Sequence, residues 1–367
     1  MAITEKNRNR AEQLQFLRFL AFLFIFLWHA DDWSLPFLPR DNGAANGVAF
    51  FFMLSGAVTG YSSLQKEIKC TPREIGSYLS GKVKKIYPLY ITTTLITVSY
   101  SGIAKFIVTQ NYGELTVPVT HLCKSILLLQ SWFPKYYFTF NGVGWFLSTI
   151  LFLYLFKFPL IFIAEKIRKS NYNLYLFGIF MILILGAIIG YNYLTQNTNM
   201  EYWQYIFPPA RLGEYIIGIC ISNIIYLFEN KNYKYFSNEF KGILCSLLEI
   251  GSIMLWICNM YLPMEYWEYR IVHWIIPNIV LIAIFIHGKG IISNLFRKKV
   301  LVYLGDISFE CFLIHQIVIY FYKQSIDVDA TEIVGRLFSI IFCLILTIMI
   351  ANIAHGKANE SSLAQKA

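Results

Sequence analysis

The sequence predicts an all-α integral membrane protein: a polytopic bundle of about ten transmembrane helices with both termini in the cytosol. Three observations carry that prediction. Of 367 residues, 56% are apolar and only 14% charged, and the mean hydropathy is +0.51. Apolar stretches of about 20 residues, the length that crosses a hydrocarbon core, recur from end to end. Basic residues crowd alternate connecting segments, as the positive-inside rule requires.

The stretches fall near residues 14–33, 46–64, 86–108, 143–164, 173–194, 206–228, 242–262, 270–287, 300–322 and 333–354. No segment between them is long enough for a separate globular domain. Residues 14–354 therefore read as one membrane domain between cytosolic tails at 1–13 and 355–367. The first span is too long for a signal-peptide core and no small-residue cleavage site follows it, so it is expected to be retained. The short polar tail after His355 is expected to be disordered.

With the N-terminus inside, the inward-facing segments hold 21 of the 31 Lys and Arg residues. The outward-facing segments hold six: Arg40, Lys105, Lys124, Lys135, Arg270 and Lys323. Arg18, Lys157, Arg211 and Arg336 lie in or at the edges of spans. The net charge of +9 is thus a topology signal and not a nucleic-acid footprint. Seven cysteines are scattered, several in apolar spans (Cys220, Cys258, Cys311, Cys343), an odd number with no CxxC spacing. Neither a disulfide framework nor a metal site is expected, and small buried hydrophobes is the reading that fits them.

Two connections are longer than the rest. Residues 65–85 carry six basic residues and fit an interfacial amphipathic helix leading into the third span. Residues 109–142 face outward and contain an apolar piece, Leu122–Phe133, that is too short to cross. It either lines a route into the bundle or packs over it. No repeat, coiled coil or low-complexity tract is present.

Standard nucleotide cradles and hydrolase elbows are missing, so no bound cofactor is expected. Four polar groups interrupt the apolar spans. Arg18 and His29 stand on the first span with ten residues between them. Eleven helical steps bring both side chains to one face, about 16 Å apart along the axis. Arg18 can snorkel to the headgroups and His29 can sit in the aromatic belt beside Trp28, so position alone does not make them functional. Asp31 and Asp32 follow, and a carboxylate there can orient the imidazole. The second group is Ser55-Gly56, where small residues permit close helix approach. The third is Arg211 with Glu214, an i,i+3 pair that neutralises itself. The fourth is Asp306, Ser308, Glu310 and His315, and an intramembrane Glu and His together are hard to explain by packing. His121, His273 and His287 read as interfacial.

Taken in order, these strings resemble the membrane acyltransferase 3 family of bacterial O-acetyltransferases, from about Gln13 to Ile353. Arg18 and His29 are similar to that family's Arg-X10-His motif. Phe51, Phe52, Ser55 and Gly56 resemble its Phe-Phe-x-x-Ser-Gly element, and KVKKIYPLY its Arg-x-x-Arg-Ile-x-Pro-x-Tyr. GVGWFLSTILFLY resembles the Trp-Phe-Leu form of the fourth span. RLGEYIIGI and LGDISFECFLIHQIVI resemble two further family motifs. The chain departs from the pattern twice. Lys82 and Lys85 replace two arginines, which keeps the charge but loses the bidentate fork for phosphate. Ile150 or Leu151 stands where many members carry a Glu after the Trp, which removes one candidate acid and points to a polysaccharide-modifying branch. Some relatives add an esterase-like domain outside the membrane; none is expected here.

The resemblance implies transfer of an acyl group, usually acetyl from cytosolic acetyl-CoA, to a hydroxyl of a saccharide at the bacterial inner membrane. It makes His29 and Arg18 the catalytic candidates and Lys82, Lys85 and Arg18 the donor-binding ones. His29 then acts as base or takes the acetyl group itself. Asp31, Ser55, Arg211, Glu214, Glu310, His315 and Trp145 are the supporting polar residues. Expected partners are acetyl-CoA, a glycan or lipid-linked glycan and the bilayer, with no nucleic acid. A transporter or flippase for a lipid-linked saccharide would also place polar residues inside ten spans, but it predicts inverted repeats, which the sequence lacks. A non-catalytic subunit of a polysaccharide synthase is a further alternative.

Overall fold

The computed structural model describes residues 5–30, 41–64, 71–109, 119–230, 238–262, 274–326 and 333–364. Every regular element among them is helical. Helix α1 runs Glu5–His29, α2 Asp41–Ser63 and α3 Pro72–Thr109, followed by the short α4, Val119–Ile126. Next come α5 (Gly144–Leu155), α6 (Lys157–Arg168), α7 (Asn173–Thr195), α8 (Leu212–Asn230) and α9 (Asn238–Met260). The chain ends with α10 (Ile276–His287), α11 (Ile291–Phe296), α12 (Lys299–Asp306), α13 (Ser308–Ser325) and α14 (Ile333–Ala364).

A helix or bent helix pair lies on each of the ten apolar stretches. By length and apolarity, five among the described residues qualify as membrane spans, or seven if the pairs α5–α6 and α12–α13 each count as one span bent by 47° and 60°. Helix α1 is outside that count, because Gln13, Gln15, Arg18 and His29 dilute its apolar run. Helix α10 is only 12 residues long, about 18 Å, and the stretch before it is not among the described residues. The basic segment and the third span form one 38-residue helix that passes through Pro88. Helix α14 continues beyond His355 to Ala364, so the tail expected to be disordered is helical for most of its length. It lacks proline and is rich in alanine, which favours continuation.

Small residues set the closest approaches. A Cβ on Gly56 would lie 1.9 Å from the Tyr215 carbonyl oxygen, and one on Gly218 2.0 Å from that of Met53. Helices α2 and α8 therefore meet backbone to backbone, as the Ser55-Gly56 pair suggests. A Cβ on Gly305 would lie 2.1 Å from the Gln15 carbonyl oxygen, which seats the end of α12 against α1. Between α2, α9 and α10 the buried Asn278 accepts from Trp256 Nε1 at 3.0 Å and donates to Asn46 Oδ1 at 2.7 Å. The apolar core fills in around these contacts, with Phe22, Phe26, Phe52, Tyr215 and Phe285 fully buried.

The described part of the connection between α3 and α5, residues 119–143, packs against both helices. Tyr87 and Tyr90 on α3 donate their hydroxyls to the carbonyls of Ile126 and Ser125, the latter at 2.8 Å. Ser131, in a single 3₁₀ turn, meets Ser148 of α5 at 2.5 Å. Leu128 (φ 53°) and Phe140 (φ 62°) take left-handed backbone on either side of that turn.

Candidate active site

Helix α1 carries both Arg18 and His29, and each has its own surroundings. Arg18 borders a cavity of about 290 Å³ together with Ser55 of α2, Lys82 and Lys85 of α3, Tyr154 of α5 and Asp306 of α12. Three of its lining side chains are thus cationic, and Asp306 is the one acid that lines it among the described residues. The Arg18 guanidinium donates Nη1–H to Gln15 Oε1 at 2.8 Å and lies within the fields of Asp306 and Glu310. Five polar residues singled out from sequence, Arg18, Ser55, Lys82, Lys85 and Asp306, therefore share one cavity. They come from four helices, and the close approach of Gly305 to Gln15 seats the one that carries Asp306.

His29 does not line that cavity. Its Nδ1 lies 2.9 Å from the Ile25 carbonyl oxygen and 3.1 Å from His315 Nε2. His315 is fully buried, and its own Nδ1 lies 2.7 Å from the Phe312 carbonyl oxygen. A carbonyl can only accept, so the proton of His315 is on Nδ1 and its Nε2 carries the lone pair. The proton of His29 then sits on Nδ1, shared between Ile25 and His315, which puts its lone pair on Nε2. This is the protonation pattern of a base awaiting a proton. Phe312 joins the two regions. Its side chain lines the cavity, while its ring lies 5.8 Å from the His315 ring.

Beside the Ile25 carbonyl, the group at His29 Nδ1 is His315; Asp31 and Asp32, the carboxylates expected to orient the ring, lie outside the described residues. Glu310 turns the other way, toward α14, where its Oε1 meets His355 Nδ1 at 2.8 Å. Arg211 and Glu214 form a separate buried pair at 3.0 Å, with 0% and 2% side-chain exposure. The Arg211 guanidinium also faces the rings of Phe52 at 4.9 Å and Tyr205 at 5.2 Å. Trp145 packs against the same Tyr205, centroids 5.1 Å apart. Trp145, Arg211 and Glu214 therefore belong to one aromatic and ionic knot away from the cavity, in keeping with a structural ion pair. His287 meets Glu229 at 3.1 Å, and the His121 ring lies against that of Tyr136, centroids 4.4 Å apart and tilted by 50°; His273 lies outside the described residues.

Several polar residues escaped the sequence reading. Glu249 of α9 caps the start of α11, accepting from Gly290 N at 2.8 Å and from Ser293 N at 3.0 Å. Asn141, in the connection between α3 and α5, donates to Thr93 Oγ1 at 2.9 Å and to the Leu313 carbonyl at 3.2 Å, which brings that connection beside His315. His355 was assigned to the tail. Their partners are distant in sequence, so no local pattern marks them.

A sequence profile for a family described as acyltransferase domain matches residues 12–352. The chain is also 26% identical, over 341 residues, to a protein of Streptomyces mycarofaciens named acyltransferase MdmB, and the alignment covers 84% of this chain and 79% of that protein. No solved structure is detectably similar.

Proposed function

The chain belongs to the acyltransferase 3 family, and from that premise we propose that it moves an acetyl group from cytosolic acetyl-CoA to a hydroxyl of a bacterial surface or lipid-linked saccharide. Its family and its apolar helices make it a membrane acyltransferase; the donor, the acceptor and the inner-membrane location belong to the proposal. So do ten spans with both ends in the cytosol, which rest on the loop-by-loop alternation of basic residues.

The observation that carries this reading is a cationic cavity on the same helix as a histidine whose Nδ1 is held by Ile25 and His315, which puts its lone pair on Nε2. Coenzyme A is multiply anionic, and Arg18, Lys82 and Lys85 offer it fixed positive charge where the cytosolic segment enters the bundle. His29 lies about 16 Å further along α1, so one residue set binds the body of the donor while another serves its thioester end. In the proposed step, His29 Nε2 removes the proton of the acceptor hydroxyl as that oxygen attacks the acetyl carbonyl carbon. The carbon–sulfur bond then breaks, and the departing thiolate takes the proton from the imidazolium. His315 holds the ring of His29 in the required tautomer throughout. The outward-facing segment, tied by Asn141 to α13 beside His315, borders the side from which a saccharide would arrive.

The test is transfer of label from radiolabelled acetyl-CoA to endogenous glycan in inner-membrane vesicles, wild type beside His29→Ala. Label present in the wild type and lost in the variant supports the assignment. Equal labelling in both removes His29 from the mechanism, and no labelling in either, with folded protein and native glycan present, removes acetyl-CoA as donor.

A further inference from the structure

Three of the helices that wall the cavity each end their contribution, on the His29 side, with a phenylalanine. The lining residues run from Thr59 to Phe51 along α2, from Tyr154 to Phe146 along α5, and from Phe309 to Phe312 along α13. Each run points toward the histidine pair. On α2, Gly47 is one turn beyond Phe51, and a Cβ there would lie 3.2 Å from the side chain of Ile25, whose carbonyl meets His29. On α13, His315 is one turn beyond Phe312 and meets His29 itself. Just before α5, Asn141 bonds the Leu313 carbonyl.

The three rings close on one another there. Centroids of Phe146 and Phe312 are 5.1 Å apart with the planes at 64°. Phe51 lies 6.0 Å from Phe146 at 70° and 6.3 Å from Phe312 at 53°. All three pairs have the tilted or edge-to-face geometry of aromatic contact. Phe146 is also stacked on Phe52 at 4.7 Å, and Phe312 lies 5.8 Å from the His315 ring. An apolar triangle thus stands between the cationic part of the cavity and the histidine pair.

Given the acyl-CoA reading on which this step rests, we infer that Phe51, Phe146 and Phe312 form the constriction that sets the length of the transferred acyl group. The connectivity of the donor puts it there. The acyl group is the tip of the pantetheine arm, so with the phosphates held at Arg18, Lys82 and Lys85 the acyl group leads and meets the rings first. Rings in mutual contact have to turn aside to let it reach His29. In a close-packed interior each added methylene demands a larger displacement. The triangle carries no polar atom, so it selects by size alone. One methylene more or less against an apolar wall changes kcat/KM by about 10–200-fold.

The experiment is transfer of label from radiolabelled acetyl-, propionyl- and butyryl-CoA to endogenous glycan in membrane vesicles. The kcat/KM values are compared between donors within each variant, so the amount of folded protein cancels. The wild type is expected to prefer acetyl to butyryl by roughly 10²-fold or more, two methylenes at the lower limit for each. Phe146→Leu and Phe312→Leu keep an apolar side chain and remove the ring, and each should narrow that preference by about tenfold through a gain on butyryl-CoA. Where either fails to fold, Phe51→Leu reads the same ratio from the third helix. Ile150→Ala enlarges the same cavity one turn from Phe146 on the side away from His29, and should change all donors alike. A wild type that uses the three donors equally, or leucine variants that keep the wild-type preference, overturns the constriction and leaves the donor reading standing. A shift in Ile150→Ala as large as that in Phe146→Leu assigns selection to the cavity as a whole and also overturns it. A wild type that transfers none of the three acyl groups overturns the acyl-CoA reading, and the constriction with it.

Discussion

His315 Nε2 lies 3.1 Å from His29 Nδ1, although 286 residues separate the two in sequence. Because the Phe312 carbonyl claims the proton of His315, the contact runs from His29 to His315 and exposes the far nitrogen of His29. His29→Ala is expected to lower turnover by about 10²–10⁴ while leaving the protein folded, the usual worth of a general base. His315→Leu removes the orienting acceptor and keeps the base. Turnover should then fall on the order of 10²-fold, with the donor KM little changed. His315→Gln offers an amide oxygen in place of Nε2 and should recover part of the loss. Steady-state kinetics in vesicles check all three, and full activity in His315→Leu would show that Ile25 alone orients the ring.

Lys82 and Lys85 border the cavity beside Arg18, and neither is within reach of the histidine pair. Lys82→Ala or Lys85→Ala should raise the apparent donor KM several-fold and leave turnover near the wild-type value, the pattern of a lost ground-state contact. Lys82→Arg should preserve or tighten donor binding, since the guanidinium adds a fork that the ammonium lacks. A loss confined to turnover would move these residues from donor binding to the chemical step.

These two sets of residues differ in how far they were legible. The facing of Arg18 and His29 is expected from helical periodicity along one span, and a cytosolic side for Lys82 and Lys85 from charge alternation between loops. Both signals are local, and in the structure Arg18, Lys82 and Lys85 line one cavity. The His29–His315 contact depends instead on how α1 packs against α13. The grouping of His315 with Glu310 by proximity in sequence fails because Glu310 and His315 point to different neighbours, one to α14 and one to α1. Lys157 and Tyr78 were visible only as a span-edge lysine and a tyrosine in a basic segment. Their meeting, with the Lys157 ammonium 3.7 Å from the centre of the Tyr78 ring, is a product of where the start of α6 sits beside α3, which no spacing encodes. Asp31, the expected orienter, lies outside the described residues.

Arg211 is wholly buried, with Glu214 as its counter-charge and two aromatic faces for the rest of the guanidinium. Its Nε and Nη1 have no hydrogen-bond partner among the described residues. Glu214→Gln should therefore leave an uncompensated buried cation and cost about 3–5 kcal/mol of stability. Replacing both members, Arg211→Met with Glu214→Leu, removes the charges together and should restore most of that loss. Thermal unfolding of the purified protein separates the cases. A double variant as unstable as the single one would assign the pair a role beyond charge balance.

Gly305 tests whether the cavity depends on the seating of α12 against α1. A methyl group there would fall 2.1 Å from a backbone oxygen of Gln15, a contact that no side-chain rotation relieves. Gly305→Ala must push the two helices apart, and Asp306, the next residue, moves with the displaced one. Arg18 then loses the nearby carboxylate of Asp306 and part of the wall that holds it in the cavity. The expected outcome is a joint loss of stability and donor affinity, larger than that of Asp306→Asn, which removes the charge and keeps the packing. Thermal unfolding and donor KM, measured on both variants, check this. If Gly305→Ala matches the wild type in both, α12 tolerates displacement, and the cavity wall it contributes is not what holds Arg18 in place.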